Sequence, residues 1–413
     1  MPMSMKNSSR KKSKTKRFLY FLLFFLIFLN GIIILSGKSY LYKGVKETYL
    51  KGRKGPGIYD SLVFPSRTVV AKTDPILLAK AGEQILLPEK NRAALEADET
   101  TSFLVLKDGE IVFEEYWEDH TLYTRSNSFS MAKSIIGLLV GIAIDEGHIK
   151  SFDEPISEYI DFFPNDTPVT IRHLLTMSSD LNWRESAKNP FSENAAAYYG
   201  RNLEKLMRRL SFGNATNERF YYASGNSQLL GFILENATGM AVSDYFSKKI
   251  WGRINPLQDA LWSLDTKDGM EKAFCCLYAT THDYAKLGQL LLQQGVWGDD
   301  TLIQPSTLDA LFSFATLADG RTNFSYGMHF WLVNHPKEKI VYARGILGQY
   351  IIVFPSSKVV VVRTGHQRKD KFEIPSDKIN DKSFIEKNKY KIDHPLDLFE
   401  YVDLVFEHLQ PEK

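Results

Sequence analysis

Between Ser130 and Gly147 the chain reads Ser-Met-Ala-Lys-Ser-Ile-Ile-Gly-Leu-Leu-Val-Gly-Ile-Ala-Ile-Asp-Glu-Gly. Ile135, Ile136, Leu138, Leu139, Ile142 and Ala143 leave a helix over this stretch with almost no polar face, so it must be buried on most sides. A helix of that kind cannot lie on a surface; the rest of the chain has to supply layers around it.

The candidates for those layers lie at both ends of the chain. Ser102–Leu106 and Ile111–Tyr116 are β-prone runs joined around Asp108-Gly109, a hairpin signal. Near the far end, Ile340–Ala343, Tyr350–Phe354 and Val359–Thr364 are three more β-prone runs separated by turn residues, as in an antiparallel meander. A helical, loop-rich middle reaches to about Gln294. This order predicts one α/β (α+β) sandwich whose antiparallel sheet takes strands from both chain ends, flanked by helices, with a helical inserted region. With 44% hydrophobic and 24% charged residues among 413, a packed core is possible and wholesale disorder is excluded. The charged stretch from Gln367 to Lys382 reads as exposed.

The N-terminus asks for a different environment. Lys6, Arg10, Lys11, Lys12, Lys14, Lys16 and Arg17 precede an uncharged apolar run, Phe18 to Ser36. As a helix it roughly matches a hydrocarbon core about 30 Å thick. A cleaved signal peptide is the alternative, but its apolar region is shorter and ends at small residues. No alanine precedes Ala71. The reading is therefore a basic cytoplasmic tail over 1–17, a transmembrane signal anchor over 18–36, a stalk and N-terminal wrap over 37–89, and the main domain over 90–413 on the extracytoplasmic (periplasmic) side. Lys38 to Lys54 hold six further cations, so the positive-inside contrast is weak.

Charge and cysteine content narrow the function. Lys+Arg total 51 against Asp+Glu 49, which argues against a nucleic-acid partner. The two cysteines, Cys275 and Cys276, are adjacent; neighbouring cysteines rarely bridge, so no disulfide is expected. No Cys/His cluster has zinc-ligand spacing.

Ser130 and Lys133, i and i+3, share a helix face at the head of the apolar helix. The helix start offers free N–H groups and a positive dipole end, which favour a developing oxyanion. A lysine against an apolar helix is desolvated, its pKa falls, and its neutral amine can act as a base. Ser-x-x-Lys also begins at Ser8, Ser9 and Ser13, where it reflects lysine density only. Farther on, Tyr222 and Ser224 sit in a loop before a second apolar helix. Beside an ammonium the Tyr222 phenolate would be favoured, although a buried aromatic pair is the commoner fate of adjacent tyrosines.

These segments resemble the class C β-lactamase-related serine hydrolases. The resemblance is carried by Ser130-Met131-Ala132-Lys133, Asp145-Glu146-Gly147, Asp153-Glu154-Pro155-Ile156, Ile171 to Ser179, the Tyr222 segment and Thr281 to Gly288, and it extends in chain order from roughly Ser102 to Gly365. Within that family, which resembles penicillin-binding proteins, the chain is most similar to the 6-aminohexanoate-dimer hydrolase branch, through Ser224 and Gly345-Ile346-Leu347-Gly348-Gln349. The resemblance implies a β-lactamase/transpeptidase-like fold and an acyl-enzyme mechanism on a small-molecule amide or ester, without a cofactor. Ser130 would be the nucleophile, Lys133 its base and Tyr222 the proton relay. The backbone N–H groups of Ser130 and Gln349 would form the oxyanion hole. Ser224, Gly348, Ile346 and Trp183 would bind substrate, Trp183 serving equally well as core.

One departure bears on specificity. Relatives that recognise a substrate carboxylate carry Lys or His in the third motif, where this chain has Ile346-Leu347. Arg344 is the nearest cation on that strand, but alternation sends neighbouring side chains to opposite faces, and Arg344 is read as surface or structural. His173, His282 and Asp283 invite a triad but fall in structural helical motifs. The alternative to an enzyme is a catalytically silent relative that binds cell-wall peptides or a partner, or a cell-wall DD-peptidase; silence usually costs the Ser, Lys or Tyr, and all three are present.

Overall fold

The computed structural model describes residues 6–409 apart from Ala187. The first five residues of the expected basic tail and the last four of the chain lie outside the described residues. Its centre is a six-stranded antiparallel sheet in the order Trp331–Asn334, Lys339–Gly345, Gln349–Phe354, Val359–Gly365, Thr100–Lys107, Glu110–Tyr116. The early hairpin and the late meander thus meet, Val361 opposite Val105. Asp108 and Gly109 both take positive φ (52° and 90°), the conformation that a two-residue hairpin loop between right-twisted strands requires.

The strands are apolar on both faces because both faces are covered. Leu104, Leu106, Val341, Ala343, Ile351, Val353, Val360 and Val362 belong to a core shared with the helices Met131–Asp145 and Thr281–Leu292. The alternate residues, Phe103, Val105, Ile340, Tyr342, Tyr350, Ile352, Val359 and Val361, pack beneath the helix Leu396–His408. The period of two in the strands divides one sequence between two cores. The helix after Ser130 is enclosed as its sequence demands, with every residue from Met131 to Ala143 buried.

A second, four-stranded antiparallel sheet orders Ser66–Val69, Ala260–Ser263, Leu277–Ala279 and Ser126–Asn127. It enlists the segment expected as stalk and wrap. Tyr40–Glu47 is helical and packs on the helix Glu193–Tyr199, while Ile58, Phe64 and Val69 are buried in the main core. The Asn127 N–H donates to the Ile58 carbonyl at 2.9 Å, so this segment buttresses the strand that leads into Ser130.

The N-terminal helix, Lys6–Leu35, contains one stretch, Lys16–Leu35, that is long and apolar enough to cross a membrane and has no buried residue. One expectation is overturned: Cys275 and Cys276 are joined by a disulfide. Cys276 adopts φ 72°, and this left-handed turn of the backbone lets two neighbouring side chains meet.

Candidate active site

The sequence between the short strand Ser126–Asn127 and the buried helix makes a sharp turn. Phe129 has φ 43°, its N–H held by the Asn127 side chain at 2.9 Å, and the Ser128 N–H donates to the Leu277 carbonyl at 2.7 Å. Ser130 follows at the helix start without capping it, so its hydroxyl is not spent on the backbone. Among the described residues the Ser130 N–H finds no acceptor, as an oxyanion donor would require.

Lys133 Nζ lies 3.0 Å from Ser130 Oγ and donates to the Phe274 carbonyl at 2.7 Å. The side chain is 1% exposed. Burial pulls its pKa down to about 8, with Glu185 nearby pulling weakly upward. The amine is thus largely neutral just above pH 8, although water alone would keep it protonated. The second sheet aims both partners: one strand delivers Ser130, and the strand paired beside it begins just after Phe274.

Tyr222 completes the group. Its ring centroid is 5.3 Å from Lys133 Nζ, and the nearby Ser130 hydroxyl pulls its pKa downward. Contrary to the expectation of a phenolate, desolvation raises the phenol well above its usual range. Burial outweighs the Ser130 hydroxyl and the Arg344 and Arg368 charges, which pull the other way. Above about pH 8, therefore, Tyr222 keeps its proton while Lys133 has room to accept one.

The third-motif segment reaches this centre through close backbone contact. A Cβ on Gly345 would lie 2.4 Å from the Ser128 carbonyl oxygen and 3.0 Å from Phe129 Cβ, so only glycine lets the strand end meet the turn before Ser130. Gly348 has φ 81°, and its carbonyl accepts from Arg363 Nη1 at 2.9 Å. Gln349 follows, its side chain donating to the Gly365 carbonyl at 2.7 Å. This interaction pins the backbone that would offer the second oxyanion donor.

Ser130, Tyr222, Phe274, Ile346, Ser224 and Cys275 share a cavity of about 440 Å³. Ser224 is buried, and its N–H and Oγ both donate to the Glu185 carboxylate at 2.8 Å. Trp183 is 3% exposed, donates Nε1–H to the same carboxylate at 2.8 Å, and packs where a Gly225 side chain would be; it is core rather than cavity wall. Glu185 was missed in the sequence, since a lone carboxylate in a loop carries no spacing signal. Arg344, read as surface or structural, is buried and lines the cavity with Arg368 and Lys371. Being two residues apart, Arg344 and Ile346 serve the same side. His173 caps its own helix with Thr170, His282 pairs with Glu114 at 2.7 Å, and Asp283 binds Thr280 Oγ1 at 2.8 Å. None of the three joins Ser130.

The chain is similar to several known proteins. The 6-aminohexanoate-dimer hydrolase of Paenarthrobacter ureafaciens is 26% identical over 291 residues, 65% of this chain and 73% of the relative. The teichoic acid D-alanine hydrolase of Staphylococcus aureus is 23% identical over 170 residues, 40% of this chain and 38% of the relative. Among solved structures, a protein named as a 6-aminohexanoate-dimer hydrolase from Bacillus anthracis superposes with TM-score 0.69 at 20% identity, covering 84% of this chain and 92% of that one. The penicillin-binding protein of Bacillus halodurans gives TM-score 0.55 at 19% identity over 68% and 95%. The beta-lactamase family profile matches residues 93–382, and the chain belongs to that family of serine hydrolases.

Proposed function

We propose that the chain cleaves an amide or ester of a small molecule through an acyl-enzyme on Ser130. The observation that carries this is the 3.0 Å contact between Ser130 Oγ and a lysine whose burial lowers its pKa to about 8. Neutral Lys133 takes the hydroxyl proton as Oγ attacks the carbonyl carbon. The backbone N–H groups of Ser130 and Gln349 receive the oxyanion, each typically worth about 3–4 kcal/mol in the transition state. As the tetrahedral intermediate collapses, Tyr222, still protonated, gives its proton to the departing amine or alkoxide and recovers one from Lys133. Water then repeats the sequence on the acyl-enzyme with the proton transfers reversed.

The likeness to a 6-aminohexanoate-dimer hydrolase favours a linear amide; Ile346 and Leu347 in the third motif weigh against β-lactams. The N-terminal helix would anchor the protein, with the catalytic domain on the extracytoplasmic side. A fluorophosphonate should label Ser130 and leave Ser130→Ala unlabelled, and a panel of p-nitrophenyl esters, linear amides and nitrocefin would rank the acyl groups. Turnover persisting in Ser130→Ala at the wild-type rate would overturn the assignment.

A further inference from the structure

The apolar part of the N-terminal helix contains one amide side chain, Asn30. Its Nδ2 donates to the Leu26 carbonyl at 2.7 Å, and its Oδ1 accepts from Tyr42 Oη at 2.5 Å. Tyr42 belongs to the next helix, Tyr40–Glu47. Asn30 precedes Leu35, where the apolar stretch ends, by about 7.5 Å of helix axis at 1.5 Å per residue. A polar group without a partner is costly in hydrocarbon. The bond to Asn30 therefore draws Tyr42 down beside the apolar helix instead of holding it clear of the membrane.

The Tyr40–Glu47 helix is apolar on two sides. Gly44 faces inward, where a Cβ would sit 3.4 Å from the Tyr199 ring. Outward, Tyr42, Val45 and Lys46 are exposed at helical spacing, and Tyr49 and Leu50 continue the row at 58% and 77% exposure. A row of exposed apolar side chains marks an interaction surface, and this one begins where the apolar helix ends. The depth set by Asn30 matches that of an amphipathic segment whose apolar side sinks about 5–10 Å into the headgroup boundary, a level that tyrosines favour. The charge agrees. From Lys38 to Lys54 six cations accompany a single carboxylate, Glu47, which Lys51 already holds at 2.5 Å. Among the described residues Lys38 and Lys54 make no ion pair.

We propose that Tyr42, Val45, Tyr49 and Leu50, flanked by Lys46 and Lys54, dock the domain on the anionic phospholipid surface of the membrane that the N-terminal helix enters. The inference rests on the anchor reading above and adds a second contact to it: the apolar helix tethers, and this face fixes how the domain lies. Tyr199, against which the docked helix packs, also lines the cavity of Ser130, as does Pro56. That cavity therefore lies one layer of side chains behind the docked face, held at the membrane surface rather than at the reach of a stalk.

The test uses the full-length protein in vesicles of equal phosphatidylglycerol and phosphatidylcholine. A nitrobenzoxadiazole label is placed at Leu50→Cys or, for comparison, at Ser356→Cys, an exposed position at the end of the six-stranded sheet remote from Gln349. Cys275 and Cys276 are joined and do not take the label. Lipids carrying a doxyl quencher near the headgroup should quench the Leu50 label about threefold more than the Ser356 label. Val45→Glu/Tyr49→Glu, at exposed positions, should abolish that difference, and Lys46→Gln/Lys54→Gln should lower the docked-to-undocked ratio about tenfold. Circular dichroism checks that each variant is folded. Retention in the vesicles after alkaline carbonate washing reports separately on the anchor. Retained protein whose Leu50 label is quenched no more than the Ser356 label, or quenching that survives either pair of substitutions, would overturn the docking while leaving the anchor in place. Protein lost on washing would overturn the anchor and the docking with it.

Discussion

Replacing Lys133 by Met should make the protein more stable at neutral pH and inactive. Burial lowers the lysine from 10.5 to about 8, a difference of about 3 kcal/mol between the two protonation states. In the folded state below pH 8 that amount is spent on keeping an ammonium among Met131, Ile136 and Phe274. Methionine removes the penalty but leaves the Phe274 carbonyl without its donor, which costs about 1 kcal/mol; the net gain at pH 7 is about 2 kcal/mol. The pH dependence separates this from general repacking. Between the folded pKa near 8 and the unfolded value near 10.5, the unfolded chain binds the extra proton, so wild-type stability rises with pH across that window. The penalty is complete below about pH 8 and gone above about pH 10.5. Denaturant titrations of both proteins at pH 7 and pH 10.5 should show the Lys133→Met advantage shrinking by about 3 kcal/mol and changing sign. Wild-type kcat/KM should rise about tenfold per pH unit below pH 8 and level off above it. A stability difference that stays flat from pH 7 to 10.5 would mean that Lys133 is not desolvated, and the base assignment would fall with it.

Tyr222→Phe should slow linear amides by about 10²–10³-fold and p-nitrophenyl esters far less, because only the amine needs a proton to depart; equal losses in parallel rate measurements would remove Tyr222 from that step. Glu185→Gln removes the one negative charge that holds the Lys133 pKa up, so the acid limb of the kcat/KM profile should move to lower pH, by less than about one unit; a limb that stays put or moves up would refute the coupling. Deleting residues 1–36 should release a soluble, active protein, whereas deletion through residue 64 should abolish folding: Ile58 and Phe64 are buried and each such side chain contributes about 1.5–3 kcal/mol. Equal yields of active protein from both truncations would show the segment to be dispensable.

What was legible in the sequence was what local pattern dictates. The buried helix announced itself through the absence of a polar face, the hairpin through Asp108-Gly109, and three sheet strands through β-branched runs between turns. Trp331–Asn334 was missed because it is four residues long and carries one aromatic, one leucine and one valine. The helix Leu396–His408 has apolar residues at helical spacing, Leu398, Val402 and Val405 among them, but lies beyond a charged stretch that read as exposed. The second sheet was invisible for another reason: its strands are two to four residues long, and two of its three pairings join residues more than 140 positions apart. Within the site, Ser130, Lys133 and Tyr222 were legible because their types are rare at such positions. Glu185, Arg344 and Arg368 were not, because a charged residue on a strand or loop has no signature until the fold shows what it faces. The phenolate expected of Tyr222 failed on burial, which sequence shows poorly for a residue in a loop.

The second sheet explains why the segment after the apolar helix and the candidate catalytic residues belong to one unit. Its edge strand, Ser66–Val69, comes from the region just after the apolar helix and is tied to the domain by the Arg67–Glu271 ion pair. Its inner strand Leu277–Ala279 follows directly on Phe274, whose carbonyl fixes Lys133, and on the disulfide-linked Cys275-Cys276. Its last strand runs into Phe129 and Ser130. Pro56 lines the cavity directly, and the Tyr40–Glu47 helix packs against the Glu193–Tyr199 helix, whose Tyr198 and Tyr199 form another part of the wall. A segment that would serve as a passive tether if it were a stalk is here part of the wall around the nucleophile. A shift in it would be felt at Ser130 through backbone hydrogen bonds such as Asn127 to Ile58, rather than through any flexible linker.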